Sequence, residues 1–105
     1  VLNTDNRSEA LFREHLSEVS SEGIKQVLVM APLYDSMNIP EDIIGKIRNH
    51  FRELAEEHGI PFLDYTDRLF CEDESFFIDS DHLNIKGAKA FSDSLANDLI
   101  KLGLI

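Results

Sequence analysis

Apolar positions recur at helical spacing in three stretches and run continuously in two short ones. Phe12, Leu16 and Val19, with Leu11 adjacent, predict a first helix over about residues 5–22, capped by Thr4 or Asn3 and stopped at Gly23. Val27 to Ala31 is an unbroken apolar run, which suits a parallel strand covered on both faces and ended by Pro32. Ile43, Ile44, Ile47, Phe51, Leu54 and Ala55 make the stripe of a second helix from about Pro40 to His58. Glu41 and Asp42 suit its first turn, and Gly59 closes it. Ile60 to Tyr65 reads as a second short strand, with Pro61 tolerable near its start. Residues 66–78 read as a loop holding Glu72, Asp73 and Glu74, with Phe76 and Phe77 as anchors. A third helix follows from about Ile85 to Lys101, capped by Asn84, with Ala88, Phe91, Leu95 and Leu99 as its core face.

The order helix, strand, helix, strand, long loop, helix argues for an α/β layer with a short parallel sheet. Two strands alone leave both edges unpaired, although residues 1–3 could add a strand stub. The expectation is a single domain over residues 1–105 that is part of a larger, doubly wound, three-layer unit. No repeats, low-complexity tracts or linkers interrupt it.

Ten Lys and Arg stand against twenty Asp and Glu, a formal net charge of -10. That balance repels phosphate and so argues against nucleic acid and anionic membrane surfaces as partners. No apolar run approaches the roughly 18 residues of a membrane span, and no signal-peptide pattern is visible. Cys71 is the sole cysteine, which excludes an intrachain disulfide and a cysteine-built zinc site. Its neighbours Glu72 and Asp73 disfavour a thiolate and argue against a nucleophile.

The segment Phe77-Ile78-Asp79-Ser80-Asp81-His82-Leu83-Asn84-Ile85-Lys86-Gly87-Ala88 carries the candidate chemistry. It sets a carboxylate, Asp79, three residues before an imidazole, His82, at the start of a helix. A serine hydrolase needs such a pair: a neutral imidazole to take the serine proton, and a carboxylate to fix its tautomer. Asp81 competes with Asp79 for that role, but adjacency to His82 makes a side-on contact awkward. A metal site of Asp79, Asp81 and His82 is the alternative chemistry, without a second histidine cluster to support it. Asn84 and Gly87 read as structural supports of His82, one capping free helix N–H groups, the other allowing close approach. His15, His50 and His58 fall on helices and are expected on solvated faces. Ser36, in Tyr34-Asp35-Ser36-Met37 after the first strand, is a weaker candidate nucleophile, and its ordinary explanation is a turn or helix-entry serine.

The Asp-x-x-His-Leu-Asn-x-x-Gly string resembles the last conserved block of the GDSL/SGNH hydrolases. The resemblance extends in order to Met30-Ala31-Pro32-Leu33, the following helix, Phe62-Leu63-Asp64-Tyr65 and the final helix, as in the second half of a flavodoxin-like SGNH domain. It looks closest to the bacterial branch of that family. The resemblance implies His82 as the base and Asp79 as the third triad member. It also implies an O-acyl ester of a small molecule, glycan or lipid as substrate, and no metal or organic cofactor. The family's Gly-Asp-Ser nucleophile block and its Gly and Asn oxyanion blocks are absent from residues 1–105. Asp35-Ser36 echoes the nucleophile block but carries Tyr34 where the family has Gly. The expectation is therefore the base-carrying half of a serine esterase or acyltransferase, inactive alone, which self-associates or pairs with a missing N-terminal segment. The alternative is a non-catalytic α/β binding or assembly module.

Overall fold

A computed structural model describes residues 6–34, 40–66, 73–79 and 82–105 of the chain. The described elements are α1 (Asn6–Ser21), β1 (Leu28–Met30), α2 (Glu41–His58), β2 (Phe62–Asp64), a 3₁₀ turn (Glu74–Phe76), β3 (Phe77–Asp79), β4 (His82–Leu83) and α3 (Ile85–Lys101). The fold is mixed α/β. β1 pairs with β2, and β3 pairs with β4, as two separate two-stranded sheets. The backbone divides into two compact units, Val1–Val29 with Ile39–Leu63, and Met30–Asn38 with Asp64–Ile105.

The first unit is organised by α1 and α2. Leu16, Leu54 and Ala55 are buried among its described residues, and Phe12 meets Phe51 edge-on with centroids 6.3 Å apart. Ionic contacts flank this apolar seam: Arg13 reaches Glu9 at 3.3 Å and also Glu57, and His50 Nε2 lies 3.1 Å from Glu9. The Glu57 carboxylate, hydrogen-bonded to Arg13, raises the guanidinium pKa further above its ordinary value. α2 stops where Gly59 turns to φ 64°, a left-handed conformation that costs a glycine no Cβ clash. The Leu28 N–H donates to the Pro61 carbonyl at 3.0 Å.

In the second unit the Tyr65 N–H donates to the Met30 carbonyl at 3.0 Å. The pairings 28 to 61 and 30 to 65 ascend together, which is the parallel arrangement. Tyr65 is fully buried; its ring meets Phe91 edge-on at 5.0 Å, and its hydroxyl donates to Asp98 at 2.5 Å. Phe77 is also buried and packs on Tyr34 at 5.3 Å between centroids.

Some expectations change. The 66–78 segment is not loop throughout: its last residues form the 3₁₀ turn and most of β3. β3 is three residues long and β4 two, too short for alternation to register. The strand at 28–30 is not covered on both faces, since Val29 is exposed. A continuous apolar run therefore overstated its burial. Ala88, assigned to the core face of α3, is exposed. His15 is exposed as expected, but His50 and His58 are half-buried: His50 contacts Glu9, and His58 Nδ1 lies 2.8 Å from the Leu54 carbonyl. The proposed caps Asn3 and Thr4 and the strand stub at residues 1–3 lie outside the described residues.

Candidate functional site

The sequence places β3 and β4 so that the two candidate residues face each other. The strands run antiparallel, with Phe77 opposite Leu83 and Asp79 opposite His82, and an irregularity between Phe77 and Asp79. A bulge of this kind re-aims a side chain out of simple alternation. Asp79 Oδ1 lies 2.8 Å from His82 Nδ1. An ionised carboxylate only accepts, so Nδ1 carries the proton of this hydrogen bond. In the neutral ring the lone pair is then on Nε2, the nitrogen that can accept a proton from a reacting group. The sequence-level pairing of Asp79 with His82 is thus present as a direct contact.

Solvent weakens this pair as an electrostatic device. Side-chain exposure is 68% for His82 and 54% for Asp79, and exposed pairs are worth about 0–1 kcal/mol. Orientation, rather than stabilisation of charge, is what the contact supplies here.

The surroundings explain how so short a hairpin holds its register. The Asn84 Oδ1 accepts from the Gly87 N–H at 2.9 Å, capping α3. The other end of the same amide donates from Nδ2 to the Ser75 carbonyl at 2.6 Å, while the Asn84 N–H donates to the Phe76 carbonyl at 2.9 Å. One residue therefore caps the helix and fastens it to the 3₁₀ turn. Gly87 makes that contact possible: a Cβ there would stand 2.1 Å from the Phe76 carbonyl oxygen and 2.9 Å from Leu83 Cδ2. The roles expected for Asn84 and Gly87 thus have a geometric basis.

Sequence reasoning missed a group on the other side of this junction. Asp73 Oδ1 accepts from the Ser75 N–H at 2.9 Å and from its hydroxyl at 2.7 Å, which caps the 3₁₀ turn. Lys86 Nζ donates to Ser75 Oγ at 3.1 Å and sits 4.9 Å from the Phe76 ring centroid. The hydrogen bonds from Ser75, with a smaller contribution from Lys86, hold the Asp73 carboxyl below its ordinary pKa. The available signal was Asp-x-Ser, a spacing at which an aspartate accepts from the backbone two residues on. Flanking Glu72 and Glu74 mask that signal within an acidic stretch.

Ser36, Asp81 and Cys71 lie outside the described residues. Among the described residues, no group of three His, Cys, Asp or Glu side chains is placed to hold a metal ion, and no helix is long and apolar enough to cross a membrane. No family model, curated protein or solved structure matches the chain.

Proposed function

We propose that this chain is the base-carrying part of an SGNH-type serine ester hydrolase or acyltransferase, on a partial doubly wound α/β frame. The supporting observation is the 2.8 Å contact between Asp79 Oδ1 and His82 Nδ1, which leaves Nε2 as the basic nitrogen. In this reading Nε2 takes the proton of a serine hydroxyl as its oxygen attacks the ester carbonyl. Asp79 holds the ring in the Nδ1–H tautomer, and Nε2 returns the proton to the departing alkoxide. The nucleophile comes from a Gly-Asp-Ser block in a further segment of the parent protein, or less favourably from Ser36. The substrate class is an O-acyl ester of a small molecule, glycan or lipid, and the reaction needs no metal or organic cofactor.

The test compares the product of the full reading frame with this 105-residue chain on an activated acetyl ester. The full product is expected to turn the ester over, and His82→Ala to lower kcat by about 10³-fold or more, as removal of a triad base does. The chain alone is expected to show no turnover. An active full product indifferent to His82→Ala overturns the reading.

A second reading, a non-catalytic α/β binding or assembly module, is favoured by the exposure of both members of the pair. A full product that is folded but inert toward acyl esters would select it.

A further inference from the structure

We propose that Asp73, Ser75 and Lys86 are positioning residues for His82, acting through Asn84 and the 3₁₀ turn to set the register in which Asp79 meets the imidazole. The inference rests on the reading of Asp79 and His82 as a base pair. It adds three residues that neither the motif nor its resemblance assigns.

The connectivity carries the argument. The 3₁₀ turn ends at Phe76 and β3 begins at Phe77, so the strand bearing Asp79 grows directly out of that turn. The strand bearing His82 ends at Leu83, and the next residue, Asn84, is bonded to both the Ser75 and Phe76 carbonyls. Both arms of the hairpin are therefore referenced to the same two peptide units. Their relative register is only as well defined as the orientation of those carbonyls.

Ser75 is the fixed point. Its N–H and its hydroxyl both donate to one oxygen of Asp73, and its Oγ accepts from Lys86. The hydroxyl thus lies between an anion from the preceding segment and a cation from the first turn of α3. Bonds with an ionised partner are shorter and stronger than neutral ones, so this bridge resists rotation of the Ser75 peptide. Loosening it frees the carbonyl that holds Asn84 Nδ2, and with it the end of β4. A hydrogen-bonded imidazole needs its partner within a few tenths of an ångström, so a slack register lengthens the Asp79 contact first.

Ser75 is not read as a nucleophile. Its proton is directed at Asp73, and Lys86 donates to its oxygen rather than accepting from it.

The experiment is ¹⁵N-detected NMR of the His82 ring in the 105-residue chain near pH 8, which reports the neutral tautomer directly. The wild-type chain is expected to carry the proton on Nδ1. Ser75→Ala and Asp73→Ala are expected to lower the Nδ1–H to Nε2–H ratio by about three- to tenfold, the effect of losing one or two net hydrogen bonds. Lys86→Ala removes an exposed arm together with its contact to the Phe76 ring and should shift the ratio in the same direction by about twofold. Ser75→Thr, which keeps the hydroxyl, should restore the wild-type ratio. A purely structural role would lower the unfolding midpoint of these variants and leave the tautomer alone. An unchanged ratio in Ser75→Ala and Lys86→Ala overturns the positioning role while leaving the base pair standing. An Nε2–H tautomer in the wild type overturns both. A tautomer that responds as expected in a parent protein without esterase activity removes only the catalytic reading.

Discussion

Gly87 and Asn84 are where single atoms decide the local structure. A methyl group at Gly87 would be driven into the Phe76 carbonyl oxygen at 2.1 Å, and that oxygen is backbone with little room to yield. Overpacking of this kind costs about 1–3 kcal/mol, so Gly87→Ala is expected in the upper part of that range by urea denaturation. A cost below about 0.5 kcal/mol would mean that α3 slides freely past the turn, contrary to the tight contact. Asn84 does two separable things, since its oxygen caps α3 and its nitrogen holds Ser75. Asn84→Ala loses both and should cost about 1–2 kcal/mol. Asn84→Asp keeps the accepting oxygen but cannot donate to Ser75, so it should recover the cap alone. Stability of Asn84→Asp below that of Asn84→Ala would show that repulsion between the new carboxylate oxygen and the Ser75 carbonyl outweighs the cap. The same positions show what the motif could convey. Asp79, His82, Asn84 and Gly87 were legible because each residue type has a narrow chemical use at its spacing. Ser75 and Lys86 were not, because a serine and a lysine eleven residues apart acquire meaning only when a turn brings them together.

At the scale of elements, the helices and the strands β1 and β2 were legible, and the β3–β4 hairpin was not. α3 runs Ile85–Lys101, the bounds its pattern indicated, because Asn84 supplies a cap and its apolar stripe is long enough to show a period. β3 and β4 together hold five residues, and their pairing rests on contacts to the 3₁₀ turn rather than on any alternation. That dependence makes the hairpin sensitive to acid. Asp73 has a depressed pKa in the folded chain, so its contribution is present above the ordinary aspartate value near 3.9 and is lost as pH falls through the lower folded value. As pH falls below the ordinary aspartate value, the Ser75 amide resonance is expected to move and its protection from exchange to fall, ahead of amides in the middle of α2. Simultaneous loss of both would place the acid transition elsewhere. Tyr65 is a second element-level tie, joining the end of β2 to α3 through its bond to Asp98. Tyr65→Phe leaves the Phe91 contact and removes that bond, at an expected cost of about 1.5–3 kcal/mol for a buried donor to a charged acceptor.

For the whole chain the governing tension is between charge and exposed apolar surface. Side chains such as Leu11, Ile24, Ile78, Ile85, Ile100 and Ile105 are more than half exposed, and β1 and β2 form only a two-stranded pair among the described residues. Unpaired strand edges and apolar side chains of this kind favour association with another chain. The net charge of -10 opposes it through repulsion between copies. The two forces respond differently to salt, because the Debye length shrinks from about 10 Å at 0.1 M to about 3 Å at 1 M while apolar attraction does not weaken. Sedimentation velocity should therefore find a chain near 12.0 kDa at low ionic strength and a rising average mass as sodium chloride is added. Net charge read from composition supplies the repulsive half of this argument, whereas the attractive half required the burial of individual side chains. A mass that stays monomeric up to 1 M salt would show that these apolar positions are too dispersed to act as a surface, and self-association would then have no physical basis here.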